Sequence, residues 1–138
     1  MSERKSNVDI SIVVPVYNEE VVLIHTIEGL CSAVANDQSS YEFIFVDDGS
    51  HDKTWDKIVS QSLVDARIVG VRLSRNFGHD AALFSGFKVA SGSAIVTMDC
   101  DGQHPFSEIP SLVKIWKEGA FDIVNCVKKK RGNEGKYR

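Results

Sequence analysis

Apolar positions fall into five short runs: 10–16 (ISIVVPV), 41–46 (YEFIFV), 67–73 (RIVGVRL), 94–98 (AIVTM) and 121–127 (FDIVNCV). Each is rich in β-branched or aromatic residues and is followed by a polar stretch. Near-continuous apolar character of this length predicts strands buried on both faces. Pro15 lacks an N–H and is expected where its strand ends. Between the first two runs, Leu23, Ile27, Leu30 and Val34 recur at helical spacing, with Ile24 and Cys31 beside them. The spacing predicts a helix over 19–36, with Asn18 as its N-cap and Glu19 and Glu20 in the first turn. Further helices are expected over 54–63, over 80–90 (small residues, closed by Ser91-Gly92-Ser93) and over 106–118. In the last, Ile109, Leu112, Val113 and Trp116 form one stripe and Gly119 is the stop.

The resulting pattern is β-α five times over, without a final helix. It predicts an α/β fold: a Rossmann-like three-layer α/β/α arrangement with a mostly parallel sheet. A parallel edge strand without its crossover partner is unusual, so the chain reads as the front part of a larger domain.

Charge changes the picture in two ways. The 138 residues hold 16 Lys+Arg and 19 Asp+Glu, for a net charge of −3. Residues 1–127 carry 10 basic and 18 acidic side chains, a balance of −8, whereas residues 128–138 carry 6 and 1, a balance of +5. An acidic body is a poor general binder of nucleic acid, which needs a basic face, but it can hold a cation. With 43% hydrophobic residues the chain can bury a core. No apolar run approaches the ~20 residues that span a bilayer, and the N-terminus MSERKSNVD has no signal-like apolar stretch. Three cysteines (Cys31, Cys100, Cys126) cannot all pair and form no CxxC, so they are read as reduced, small, buried hydrophobes.

The chemistry-bearing residues collect after the first four strands, in Tyr17-Asn18-Glu19, Asp47-Asp48-Gly49-Ser50, Arg75-Asn76-Phe77-Gly78-His79 and Asp99-Cys100-Asp101-Gly102-Gln103-His104. Open α/β sheets bind ligands outside the carboxyl ends of their strands, at a switch in strand order. Any one loop is an ordinary turn; four at successive strand ends indicate a site. In DCDGQ, two carboxylates two residues apart can approach one hard cation, so Asp99, Asp101 and the Gln103 amide oxygen are candidate ligands for Mg²⁺ or Mn²⁺. Neither GxxxxGK[ST] nor GxGxxG occurs, which argues against a P-loop triphosphatase or a nicotinamide Rossmann domain.

SIVVPVYNEE at 11–20, VDDGSHDKT at 46–54, LSRNFGHDAAL at 73–83 and MDCDGQHP at 98–105 resemble, in order and spacing, family 2 glycosyltransferases of GT-A fold. The similarity is greatest to the dolichol-phosphate mannose synthase and bactoprenol glucosyltransferase branch. The resemblance implies a nucleotide-sugar-binding region over 10–127, preceded by an extension over 1–9 and followed by a basic acceptor-loop segment over 128–138, truncated or disordered. It implies that Pro15, Tyr17 and Glu19 meet base and ribose, that Asp47 accepts from the base with Asp48 in support, and that Arg75 lies near the nucleotide. Asp99 would reach ribose or metal, Asp101 the metal, and Gln103 the metal or its waters, with Asp99 and Asp101 as the catalytic pair. Lys128 and Arg131 would receive an acceptor phosphate. The implied partners are a UDP- or GDP-linked sugar and a polyprenyl phosphate, with transfer by inversion at the cytoplasmic face of a membrane; self-association is left open.

The other residues have plainer readings. His25 and His51 are expected at the surface, and Trp55 and Trp116 as core anchors. His79 caps or opens a helix and is a candidate to help bind a phosphate, and His104, after the DxD, is a candidate to support the metal ligands. Two alternatives remain: a catalytically incomplete nucleotide-sugar-binding fragment, and a haloacid-dehalogenase-like phosphatase, whose DxDGT is similar to DCDG. Against the latter, the motif here follows the fourth strand rather than the first, and Gln103 replaces the Thr.

Overall fold

The computed structural model describes residues 7–100 and 105–119. Four strands, β1 (Ile10–Val16), β2 (Tyr41–Asp47), β3 (Ile68–Arg72) and β4 (Ala94–Thr97), alternate with α1 (Leu23–Val34), α2 (Thr54–Val64) and α3 (His79–Val89). A 3-10 turn over Phe106–Glu108 leads into α4 (Ile109–Lys117). All pairings are parallel and the strand order is β3-β2-β1-β4. The expected strand over 121–127 lies outside the described residues.

The alternation of side chains along β1 and β2 makes the layers. Ile10, Ile12, Val14, Val16, Phe43 and Phe45 pack with Leu23, Ile27 and Leu30 of α1, Ile58 of α2 and Ile109 and Val113 of α4. Val13, Ile44 and Val46 point the other way, onto Ala82 of α3. Small residues let α3 lie close to the sheet: a Cβ on Gly86 would fall 2.4 Å from Val13 Cγ1. On the opposite face a Cβ on Gly29 of α1 would fall 2.4 Å from the Phe106 ring. Trp55 and Trp116 are half-buried against the core, as expected.

Pro15 is tolerated in the central strand for a reason visible in the ladder. Val13 O accepts from Met98 N–H at 3.2 Å, so odd-numbered β1 residues face β4. The β1–β4 register ends at Val13↔Thr97, two residues short of Pro15. The N–H that proline lacks would have faced the unpaired side.

The first helix corrects the sequence reading. Asn18 is not an N-cap: it adopts φ +50°, and α1 starts at Leu23 rather than 19. The intervening amides are engaged elsewhere. Asn18 N–H donates to Ser50 Oγ (2.8 Å), Glu19 N–H to Thr54 Oγ1 (2.9 Å) and Glu20 N–H to Asp52 Oδ2 (3.3 Å), while His51 N–H donates to Asn18 Oδ1 (2.9 Å). The loops after β1 and β2 are thus laced together, and a helix from 19 would forfeit that lacing.

Candidate functional site

Chain order sends β2 and β3 to one side of β1 and β4 to the other, so the order reverses at β1. At the carboxyl ends of the strands a cleft of about 460 Å³ opens at this switch. All four polar loops line it. The first contributes Pro15, Val16, Tyr17 and Glu19; the second, Asp48; the third, Asn76, Gly78 and His79; the fourth, Asp99 and Cys100.

The DDGS turn organises the cleft. Asp48 N–H donates to Val16 O (2.9 Å), and its side-chain oxygens accept from Phe77 N–H (2.8 Å) and Gly78 N–H (3.1 Å). One carboxylate thereby ties the ends of β1 and β2 to the loop before α3. Gly49 permits the approach: at φ +74°, its Cβ would lie 2.4 Å from the Arg75 carbonyl carbon and 2.5 Å from Asn76 N.

Asp47 is fully buried at the end of β2 and does not line the cleft. Its Oδ1 accepts from Ser50 N–H at 3.0 Å, whereas Oδ2 has no hydrogen-bond partner among the described residues. Arg72 Nε lies 3.9 Å from Oδ2, on a side chain that lies over the Trp55 ring. A buried acceptor left open in this way calls for an explanation, and a ligand donor is one.

Of the residues proposed from sequence, Pro15, Tyr17, Glu19, Asp48 and Asp99 meet in the cleft. Arg75 is exposed and stacks on Phe77, 4.0 Å from the ring centroid, outside the lining. Asp101, Gln103, His104, Lys128 and Arg131 lie outside the described residues. Asn76 and Gly78 were absent from the site proposed from sequence, although their loop was singled out, and the sequence offers His79 only as a candidate phosphate contact. The signal was Gly78 before a polar residue at a helix start; its φ of +102° aims the chain into α3. Among the described residues no three His, Cys, Asp or Glu side chains converge on a metal position.

The thiols are quiet. Cys100 is buried, and Thr26 Oγ1 donates to its carbonyl oxygen at 3.4 Å. Cys31 is half-buried beside Asp65 and Arg67; desolvation pushes its thiol up, against the pull of Arg67. Cys126 lies outside the described residues. His25 and His51 are exposed, as expected. No helix among the described residues is long and apolar enough to cross a membrane.

Comparison with known proteins places this geometry. The model of Glycosyl transferase family 2 matches residues 11–138. An uncharacterized glycosyltransferase of Bacillus subtilis, YkcC, is 41% identical over 128 residues, 93% of this chain and 39% of the relative. The undecaprenyl-phosphate 4-deoxy-4-formamido-L-arabinose transferase of Aeromonas hydrophila is 39% identical over 123 residues, 88% of this chain and 37% of the relative. The chain thus spans about two fifths of the length of these relatives. Among solved structures, the mannosyltransferase PcManGT of Pyrobaculum calidifontis, in complex with GDP-Man and Mn²⁺, superposes with a TM-score of 0.69 at 21% identity. That match covers 89% of this chain and 36% of the other. S. aureus TarS in complex with UDP gives a TM-score of 0.62 at 23% identity, covering 80% and 32%. These likenesses show the fold, an α/β arrangement shared with GT-A glycosyltransferases, and the family match displaces the phosphatase alternative. Four motif loops gathered at one sheet edge, on a fold shared with glycosyltransferases and under a family model spanning 128 of its residues, establish that the chain belongs to glycosyl transferase family 2.

Proposed function

We propose that the chain forms the donor-binding part of a glycosyltransferase that moves a hexose from a UDP- or GDP-sugar to a polyprenyl phosphate at a membrane surface, with inversion. The observation that carries the reading is the acidic cleft at the strand-order switch, lined by Glu19, Asp48 and Asp99 with Asp47 buried behind. Such a site repels a diphosphate unless a cation joins it, and the hard oxygen of Asp99 at the strand end suits Mg²⁺ or Mn²⁺. Asp99, with Asp101 and Gln103, would hold that ion, which when bound neutralises the charge growing on the leaving diphosphate. Named relatives that act on undecaprenyl phosphate, and a fold relative in complex with GDP-Man and Mn²⁺, support the same reading.

The residues then divide the work. Pro15, Tyr17 and Glu19 form the wall for base and ribose. Asp47 would meet a base N–H through its Oδ2 once the DDGS turn shifts, since the side chain is buried outside the cleft lining. Asp48 acts through the backbone, fixing the loop of Asn76 and Gly78, and Arg75 borders the nucleotide. An ionised phosphate oxygen of the acceptor, steered by Lys128 and Arg131, attacks the anomeric carbon, and the bond to the diphosphate breaks with its electron pair leaving on oxygen. An acceptor that arrives ionised needs no protein base.

A second reading is a nucleotide-sugar-binding module without turnover of its own, since the cleft residues described all serve the donor. Calorimetric titration with UDP and GDP, each with and without Mn²⁺, beside a donor-hydrolysis assay, tests both. Metal-dependent binding that Asp101→Asn abolishes is expected; binding without turnover selects the module, and no binding refutes both.

A further inference from the structure

We infer that His79 is a diphosphate-contacting residue of this cleft, donating its imidazole N–H to a non-bridging phosphate oxygen of the sugar nucleotide; this rests on the function proposed above. Three carboxylates line the cleft, from Glu19, Asp48 and Asp99, and His79 is the one described lining residue whose side chain can carry positive charge. A ligand with two phosphates therefore has, among acidic neighbours, an imidazole N–H to donate to it.

The placement of His79 is built rather than incidental. It is the first residue of α3, and the two residues before it, Phe77 and Gly78, have their amides held by Asp48 at 2.8 and 3.1 Å. The φ of +102° at Gly78 then directs the helix start toward the cleft. Asp48 is thus a positioning residue for His79.

The ring is also available. His79 Nε2 lies 3.8 Å from Asp99 Oδ1, within ion-pair range but beyond hydrogen-bond range, and both side chains are about half exposed. A phosphate oxygen entering between the strand ends can take the N–H that Asp99 attracts but does not bind. When the anomeric C–O bond breaks, its electron pair moves onto the diphosphate, and the N–H···O bond strengthens without transferring its proton.

The test is titration of the 138-residue chain, wild type, His79→Ala and His79→Lys, with UDP and GDP in the presence of Mn²⁺, and with uridine and guanosine. An N–H donated to an ionised phosphate oxygen predicts about tenfold weaker diphosphate binding by His79→Ala, unchanged nucleoside binding, and recovery of most of the loss by His79→Lys, which restores a donor. Equal diphosphate affinity of wild type and His79→Ala overturns the inference while leaving the donor-binding function standing. So does an equal loss for nucleoside and diphosphate, which would make the role structural. Failure of the wild-type chain to bind either diphosphate overturns both. A change in the His79 imidazole ¹⁵N resonances on adding UDP or GDP is expected as the direct signature, and no change with bound diphosphate contradicts it.

Discussion

Replacing Gly49 by alanine should damage the fold and the cleft together. The added Cβ would stand 2.4 Å from the Arg75 carbonyl carbon, 2.5 Å from Asn76 N and 2.8 Å from Arg75 Cα. All three are backbone atoms, so no side chain can rotate out of the way. The φ of +74° adds a conformational cost of roughly 1–2 kcal/mol for a residue bearing a Cβ. Forcing an extra methyl into a packed site costs about 1–3 kcal/mol more. The sum is about 2–5 kcal/mol. At a urea slope of about 2 kcal/mol per molar, the unfolding midpoint should fall by about 1–2.5 M. Urea titration followed by tryptophan fluorescence measures this, since Trp55 is half-buried against the core. A midpoint within about 0.3 M of wild type would refute the reasoning, because the loop after β3 would then have room to retreat. Survivors that fold should also bind diphosphate more weakly, as Asn76 lines the cleft.

Asp48→Asn leaves one of the Phe77 and Gly78 amides facing an amino group, so stability should drop by about 1–3 kcal/mol, read as a denaturant midpoint at constant slope. Asp47→Ala removes the buried open acceptor and should weaken nucleotide binding with and without metal; calorimetry giving equal affinity would contradict its assigned contact. Tyr41 OH donates to Asp37 Oδ2 at 2.6 Å, and this bond, with the Ser39 amide, holds the Asp37 carboxyl below its ordinary value of 3.8. A lowered folded value gives stability that is complete above 3.8 and lost as pH falls through the folded value. Tyr41→Phe should therefore cost about 1 kcal/mol at pH 6, and the gap to wild type should narrow on acidification below 3.8; a constant gap would refute the coupling.

The layers of this fold were legible in the chain because strands buried on both faces leave a signature that needs no partner to read. ISIVVPV and YEFIFV have apolar residues at both parities, and the structure sends Val13, Ile44 and Val46 to α3 and their neighbours to α1, α2 and α4. The site was legible as an edge, since polar loops after parallel strands all emerge at one end. Pro15, Tyr17, Glu19, Asp48 and Asp99 do meet there.

What the chain could not show were contacts between residues far apart in sequence. Asn18 has the composition of a helix cap, yet bonds across 32 and 33 residues to Ser50 and His51 make it a loop tie and delay α1 to Leu23. Asp47 and Asp48 are adjacent and chemically identical. The strand pleat buries the first and turns the second toward amides some thirty residues away. The sequence by itself determined which segments become strands and where polar chemistry gathers, because those follow from local periodicity and chain direction. Which carboxylate faces the cleft, and that His79 comes within 3.8 Å of Asp99, were settled by the tertiary structure, because these depend on the strand order that brings four separate loops together.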